Sequence, residues 1–192
     1  MQDIRTRLIE ATFQEVFSQG YNKASLSNIL EKANTKKGSM YHYFPSKKDM
    51  VLAMIEEKIE NRLKIKWEAL EKKDKGILDA FIAILKDTPN WDLTYGCPLG
   101  NLLQEFLNED KEFEQLLNTI LDKWKNQFIN ILQKAKDNKE LKEDTNIEEL
   151  AIFLMSSIQG ALLLTKKYTT DKLFVASMNQ LISYINSLRV RN

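Results

Sequence analysis

Apolar residues recur at the spacing of an α-helix along most of this 192-residue chain, and no segment alternates in the way that a convincing β-strand requires. The chain has only six Gly and three Pro, which are few for a protein built from many strands and tight turns. Hydrophobic residues make up 43% of the sequence, enough for a substantial core. The pattern therefore predicts an all-α fold of about nine helices.

Two short helical segments separated by a polar turn stand out near the amino terminus. Residues 25–33 are amphipathic, and the Ser25 hydroxyl can cap this segment by accepting a hydrogen bond from a backbone amide. Asn34 and Thr35 supply the turn, and Thr35 can cap the next helix in the same way. Residues 35–50 then combine cations with aromatic side chains. This arrangement is typical of a helix-turn-helix, whose second helix enters the DNA major groove.

Charge divides the chain at about residue 48. Residues 1–48 carry eight Lys and Arg against four Asp and Glu, a net charge of +4, whereas the remainder carries 20 against 23, a net charge of −3. Only the amino-terminal part has the charge expected of a surface that meets a polyanion, although ordinary surface charge is the alternative. We predict a DNA-binding domain at 1–48 and an effector-sensing and dimerisation domain at 49–192.

Several functional classes are disfavoured by what the sequence lacks. A single Cys excludes a disulfide framework within the chain, and we expect a cytoplasmic protein because there is no signal peptide. No apolar run reaches the ~18 residues of a membrane span. His42 is the only histidine, so neither a histidine metal cluster nor a conventional hydrolase triad is expected. We predict that the chain is not an enzyme and needs no cofactor or metal.

An ordered series of residues resembles the DNA-binding domain of the TetR family of bacterial transcriptional regulators. The series comprises Ala11, Phe17, Gly20, Tyr21, Ser25, Ile29, the stretch from Lys37 to Phe44, Ser46 and Lys47. The resemblance implies a homodimeric repressor that binds double-stranded DNA. It also implies a variable carboxy-terminal domain that senses a small molecule and thereby controls DNA affinity.

Candidate DNA contacts follow from the resemblance and from side-chain chemistry. Cations set the register on phosphates, and Lys47 occupies the family's phosphate-binding position at a helix start, with Lys48 beside it. Tyr41 and His42 align with family positions that commonly contact DNA. The predicted contacts are Ser25, Lys36, Lys37, Gly38, Ser39, Tyr41, His42, Tyr43 and Lys47. Met40 and Phe44 are expected to pack in the core instead, and Tyr43 fits either role.

The second domain carries aromatic and aliphatic residues together with a few amides, as an effector pocket requires. The predicted effector-binding residues are Trp91, Tyr95, Cys97, Leu99, Asn101, Phe106, Trp124, Phe128 and Gln159. Plain core packing is the alternative interpretation of the same pattern. If a pocket exists, its composition favours a hydrophobic or aromatic small molecule.

Cys97 lies in a Gly-Cys-Pro-Leu-Gly-Asn-Leu segment that resembles the sensor motif of one subgroup of the family. Some members of that subgroup respond to oxidants or electrophiles through such a cysteine. A thiol at a helix amino terminus is also favoured as the reactive thiolate by the helix dipole. Inert packing of a small apolar side chain is the alternative.

The last two predicted helices, at about 147–167 and 171–189, combine small residues with a high apolar content, which indicates close helix packing. In the family that the chain resembles, these helices form a four-helix dimer interface. Two recognition helices would then lie ~34–36 Å apart on a palindromic operator. A constitutive DNA-binding protein, an activator, and an enzyme or carrier with an incidental helix-turn-helix remain alternatives.

Overall fold

The computed structural model describes residues 3–106, 109–166 and 170–190. The helices are α1 (Ile4–Gln19), α2 (Leu26–Lys32), α3 (Lys37–Tyr43), α4 (Lys47–Met54), α5 (Asn61–Glu71), α6 (Ile77–Lys86), α7 (Pro98–Phe106), α8 (Lys111–Asp137), α9 (Ile147–Thr165) and α10 (Lys172–Ser187). A π-helical segment, Ile55–Glu60, joins α4 to α5, and a 3-10 turn occupies Thr88–Asn90. Counting α4, the π segment and α5 as one helix gives nine, and no β-strand occurs in the described residues. The predicted all-α fold is confirmed.

The chain packs as two compact units that are not contiguous in sequence. The first combines Met1–Leu63 with Pro98–Ile120, and the second combines Lys64–Cys97 with Leu121–Asn192. The first unit extends beyond residue 48 because α4 packs along α1. These packing units divide the chain differently from the predicted domains 1–48 and 49–192, and the functional boundary at residue 48 stays a prediction.

The helix-turn-helix itself depends on local capping and on a small apolar core. As predicted, Ser25 caps α2, its hydroxyl accepting from the Asn28 amide at 3.5 Å. Asn34 turns the chain with a positive φ of 46°, in the left-handed region that Asn tolerates. The predicted cap at Thr35 is wrong, because Lys36 occupies that position in α3 without a side-chain hydrogen bond.

Ser46 caps the start of α4. The Ser46 hydroxyl accepts from the Asp49 amide at 3.2 Å and donates to the Asp49 carboxylate at 2.6 Å. This satisfies one of the amides that every helix start leaves without an intrahelical partner. The helix continues, through its π segment, to Glu71.

In the second unit, α6 and the last two helices closely match the sequence pattern. Helix α6 spans Ile77–Lys86. The Glu140 carboxylate caps it by accepting from the Ile77 and Leu78 amides at 3.1 and 2.9 Å. Helices α9 and α10 pack against each other. Each is slightly shorter than predicted, and Lys167, the predicted end of α9, lies outside the described residues.

Helix α9 is more hydrophobic than we predicted from the sequence. It spans 19 residues, and its most apolar 18-residue window has a mean hydropathy of 1.6, so length and composition alone would permit a membrane span. The expectation that no segment reaches this criterion is therefore wrong. The core helix of a soluble protein meets the same criterion, and 44% of this window is buried within the protein.

Candidate DNA interface and sensor core

The side chains of α3 and of Phe44, which ends it, fall into a buried and an exposed set. Met40 and Phe44 are 0% and 4% exposed, which confirms that they belong to the core. Tyr41 and Tyr43 are 49% and 38% exposed, and His42 is exposed beside them with its ring 5.1 Å from that of Tyr43. The exposed parts of these rings can contact a groove or phosphates.

Gly38 lies in α3 at a position where the protein itself does not require glycine. A Cβ at this residue would meet no described atom within 4 Å, and the backbone is helical. Glycine inside a helix costs about 1 kcal/mol relative to alanine. The packing of the protein therefore gives no reason for glycine here, whereas a molecule that approaches α3 from outside would gain space from the missing side chain.

The remaining predicted DNA contacts of this region differ in their exposure and in whether their side chains already have partners within the protein. Lys36 and Lys37 are exposed, with the Lys37 ammonium 5.7 Å from the centre of the Tyr41 ring. Ser39 is half-buried. The Ser25 hydroxyl is engaged as the α2 cap and lies 2.5 Å from the Ser27 hydroxyl, so a DNA contact would have to share it.

Lys47, the predicted phosphate contact, points its ammonium into the first unit. Its Nζ donates to the Tyr21 carbonyl at 2.6 Å and lies 4.3 Å from the centre of the Tyr21 ring. Burial lowers the pKa of Lys47, and the nearby Glu105 and Glu15 carboxylates oppose that shift. A phosphate could take this ammonium only by breaking the bond to Tyr21.

Lys48 is likewise engaged within the first unit. Its ammonium lies 2.8 Å from the Asp110 carboxylate and 2.9 Å from that of Glu112, and 5.7 Å from the Phe113 ring centre. These carboxylates raise the pKa of Lys48, chiefly through the hydrogen bond to Asp110. Lys47 and Lys48 are thus both engaged within the first unit, Lys47 by Tyr21 before α2 and Lys48 by carboxylates at the start of α8.

The contact between α1 and α2 is built around a buried carboxylate. Glu15 is only 3% exposed, and it accepts from the Lys32 ammonium and from the Asn28 side-chain amide at 2.9 Å. The hydrogen bond from Lys32 is the main cause of a lowered pKa at Glu15, with Asn28 next. A charged Glu15 therefore stabilises the position of α2 on α1.

Aromatic side chains dominate the core of the second unit, and we call Trp67, Phe81, Trp91, Trp124, Phe128 and Phe174 the aromatic cluster. Phe128 joins its members, with ring centres 4.7 Å from Trp67 and 5.6 Å from Trp124. The Trp91 indole donates to the Ile84 carbonyl at 3.0 Å. By contrast, the buried indole N–H groups of Trp67 and Trp124 have no acceptor among the described residues.

Comparison with known proteins assigns both parts of the chain. Residues 8–54 match the family described as bacterial regulatory proteins, tetR family, and residues 75–181 match the tetracyclin repressor-like C-terminal domain. The chain belongs to the TetR family. This family consists of transcriptional regulators with a helix-turn-helix DNA-binding domain, and the amino-terminal match includes the exposed side chains of α3.

Named relatives agree with this assignment. An uncharacterised helix-turn-helix transcriptional regulator from the lacX 3' region of Lactococcus lactis subsp. lactis is 29% identical over 180 residues, which cover 86% of this TetR-family chain and 85% of the relative. The transcriptional repressor NemR of Escherichia coli is 27% identical over 136 residues, 71% of this chain and 68% of NemR. The crystal structure of reduced E. coli NemR has the same fold, with a TM-score of 0.84, 20% identity and coverage of 100% and 99%.

The effector residues predicted for this TetR-family protein are divided between the two packing units. Trp91, Trp124 and Phe128 belong to the aromatic cluster. Tyr95 is 36% exposed, whereas Cys97 is 8% exposed and its sulfur accepts from the Gln159 side-chain amide at 3.2 Å.

The other three predicted effector residues lie in the first unit. Leu99 is buried and Asn101 is half-buried on α7. Phe106 stacks on Phe113 at 3.8 Å and contacts the Tyr21 ring at 4.8 Å, so it packs against the helix-turn-helix. Spacing along the sequence could not indicate this division. The chain leaves the first unit after Leu63 and returns to it at Pro98, and this return is visible only in the folded structure.

Sequence reasoning missed the role of acidic residues in this regulator. Glu15 and Asp110 hold Lys32 and Lys48, and Glu105 accepts from the backbone amides of Tyr21 and Asn22. No local signal marks Glu105, which acts 84 residues away from Tyr21. Within the described ranges, no group of three or more His, Cys, Asp or Glu side chains could hold a metal ion.

Proposed function

We propose that this TetR-family protein is a cytoplasmic homodimeric repressor that binds a palindromic operator through α3 and is released by an uncharged apolar effector. The observation that carries the DNA-binding role is the division of α3. Its Met40 and Phe44 are buried, while Tyr41, His42 and Tyr43 are exposed next to the free cations Lys36 and Lys37. The repressor role is supported by the name of the relative NemR.

The test of DNA binding is selection of duplexes from a random library by the purified protein. The affinity for the selected duplex is then measured at two salt concentrations. We expect a palindromic winner whose affinity falls steeply with salt, because phosphate contacts release counterions. Failure to enrich any sequence would overturn the proposal.

An exposed apolar surface on α9 and α10 supports the homodimer. We call it the α9–α10 face, and its members are Ile152, Phe153, Leu163, Leu164, Leu173 and Tyr184. The Phe153 and Tyr184 rings lie 5.0 Å apart, so the surface spans both helices. A Cβ at Gly160, in α9, would meet no described atom within 4 Å. The fold does not need that glycine, but a closely packed partner helix would.

A matched pair of charge insertions tests the homodimer. Leu164 is 62% exposed on α9 and Ile65 is 66% exposed on α5, so Leu164→Glu and Ile65→Glu perturb the monomer equally. We expect sedimentation to show monomers for Leu164→Glu and dimers for Ile65→Glu and the wild type, because a buried unpaired carboxylate at an interface is strongly unfavourable. Equal dimerisation of the two variants would rule out the α9–α10 face.

The chemistry of the aromatic cluster supports the class of effector. The unpaired N–H groups of Trp67 and Trp124 each leave a buried donor whose desolvation costs about 1–3 kcal/mol. An apolar ligand with a hydrogen-bond acceptor would satisfy such a donor, whereas a charged ligand would be poorly solvated in this core. We therefore expect the effector to be apolar, uncharged and able to accept hydrogen bonds.

Three naphthalene derivatives of similar size test that expectation by tryptophan fluorescence. We expect 2-acetylnaphthalene, which has an acceptor, to bind more tightly than 2-ethylnaphthalene, which has none, and than the anion 2-naphthoate. Trp67→Phe and Trp124→Phe keep an aromatic, though smaller, ring and remove the donor, so they should reduce the preference for the ketone about 2–10-fold. Equal binding of ketone and hydrocarbon by the wild type would contradict the proposed class.

Cys97 supports a second mode of release, by oxidants. Its sulfur accepts a hydrogen bond from the Gln159 side-chain amide at 3.2 Å, and Pro98 begins α7 immediately after it. With hydrogen peroxide, the thiolate would attack one peroxide oxygen, the O–O bond would break with loss of hydroxide, and the sulfur would become a sulfenic acid.

The test of this second mode is peroxide-dependent release of operator DNA from the wild type and from Cys97→Ser. Release should occur only in the wild type and should be reversed by a thiol reductant. Release that persists in Cys97→Ser would exclude a thiol sensor at this position.

A further inference from the structure

Tyr21, between α1 and α2, is held from several directions within the first unit. Its backbone N–H donates to the Glu105 carboxylate at 2.8 Å, and its carbonyl accepts from Lys47 at 2.6 Å. Its ring lies 4.8 Å from that of Phe106 and 5.3 Å from that of Phe113. These partners come from α4, α7 and α8, so the connection between α1 and α2 is fixed by residues far away in the sequence.

Glu105 fixes this connection at two consecutive peptide groups. The other oxygen of its carboxylate accepts from the Asn22 amide at 2.7 Å, which gives two charge-assisted hydrogen bonds from one side chain. Gly20, just before, has a φ of 83°, and a Cβ there would lie 3.1 Å from a Glu105 oxygen. The turn from Gly20 to Asn22 is thus shaped to receive the carboxylate.

We infer that Glu105 is a positioning residue for operator recognition. By holding the turn between α1 and α2, its carboxylate sets the direction in which α2 leaves α1, and α3 follows α2 after a short turn. The inference rests on the proposed DNA-binding function. It goes beyond that function by assigning a specificity role to a residue of α7 that lies outside the helix-turn-helix.

The test compares Glu105→Ala and Glu105→Gln with the control Gln104→Ala, an exposed neighbour in the same helix. Affinities for the selected operator and for a random duplex are measured for each protein. We expect Glu105→Ala to lose roughly tenfold in the ratio of operator to random affinity. Glu105→Gln keeps one carbonyl acceptor and should recover part of that loss, whereas Gln104→Ala should match the wild type.

Amide hydrogen exchange gives a readout that does not depend on DNA. In Glu105→Ala the Tyr21 and Asn22 amides should both exchange faster, because both lose their acceptor, whereas in Glu105→Gln, which keeps one carbonyl oxygen, one of the two should exchange faster. The Ile77 and Leu78 amides, which Glu140 caps in the same manner, serve as the internal control and should be unchanged.

The outcomes separate this inference from the proposed function. A wild-type protein that selects no duplex would overturn both. A wild type that selects an operator, with an unchanged affinity ratio in Glu105→Ala and Glu105→Gln, would overturn the inference alone. A parallel fall in operator and random affinity with a lowered melting temperature would also overturn it, because that pattern indicates a general loss of folding. If Glu105→Ala does not fold, the ratio of operator to random affinity measured for Glu105→Gln decides whether the inference holds.

Discussion

Two Lys-Lys pairs, at the starts of α3 and α4, have the same composition and opposite environments. Lys36 and Lys37 are exposed and form no ion pair with any described residue. Lys47 and Lys48 lie at an equally favourable helix start, but their ammonium groups are held by the Tyr21 carbonyl and by Asp110 and Glu112. The contrast shows that a cation at a helix start is available to a phosphate only where the fold supplies no acceptor of its own.

Removing the exposed pair should have the largest effect. We expect Lys36→Ala together with Lys37→Ala to lower affinity for operator and random DNA alike, roughly 10–100-fold, because each lost phosphate contact reduces the salt slope by about 0.9. The measurement is binding affinity across a series of salt concentrations. Lys23→Ala, which removes another exposed lysine of the first unit, serves as a comparison for general charge. An unchanged slope in the double variant would contradict the assignment of this pair to phosphates.

Lys32 lies between these extremes, because it is 41% exposed while its partner Glu15 is buried. Glu15→Gln should lower the free energy of unfolding by about 1–3 kcal/mol at pH 7, as a buried charged hydrogen bond is lost. The pKa of Glu15 is lowered in the folded state from its ordinary 4.5. Its stabilisation is therefore complete above pH 4.5 and is lost as the pH falls through the folded-state pKa.

Urea denaturation of the wild type and Glu15→Gln at several pH values measures this effect. The difference in unfolding free energy between the two proteins should be greatest near neutral pH and should close in acid. A difference that stays constant down to pH 3 would show that the charge of Glu15 contributes nothing.

Lys47→Met should separate the two roles open to that residue. If its ammonium serves the Tyr21 carbonyl, the variant should lose roughly tenfold in the ratio of operator to random affinity while the salt slope stays unchanged. If it contacts a phosphate, as predicted from sequence, affinity for both DNAs should fall and the slope should decrease by about one. Measuring both quantities for one variant decides between the roles.

Gly38→Ala should have the smallest effect on the fold, with opposite signs on stability and binding. Alanine is favoured over glycine in a helix, so the free energy of unfolding should rise by about 0.5–1 kcal/mol. Operator affinity should fall, because the added methyl group meets only what approaches α3 from outside. Calorimetry and operator binding on the same preparation test this. A variant that gains stability without losing affinity would place the DNA away from Gly38.

The local features of this protein were predictable because their causes are local. Apolar periodicity predicted the helices, and the Ser25 cap was confirmed because it depends on a hydroxyl and an amide three residues apart. The predicted helix cap at Thr35 was wrong for a local reason too, since Asn34, with its left-handed backbone, completes the turn and α3 begins without a side-chain cap. The burial of Met40 and Phe44 followed from the spacing of apolar residues in α3.

The sequence by itself determined the helical class, the helix-turn-helix and the family resemblance, since these depend on residue order and short-range periodicity. Only the tertiary structure decided which lysines are free, because Tyr21, Asp110 and Glu112 become acceptors through folding. The tertiary structure also brings Phe106, a predicted effector residue, into contact with the Tyr21 ring, a packing that no spacing along the sequence indicated. The physical reason is that hydrogen bonds and ring contacts act over a few ångströms in space, whatever the number of residues that separates the partners along the chain.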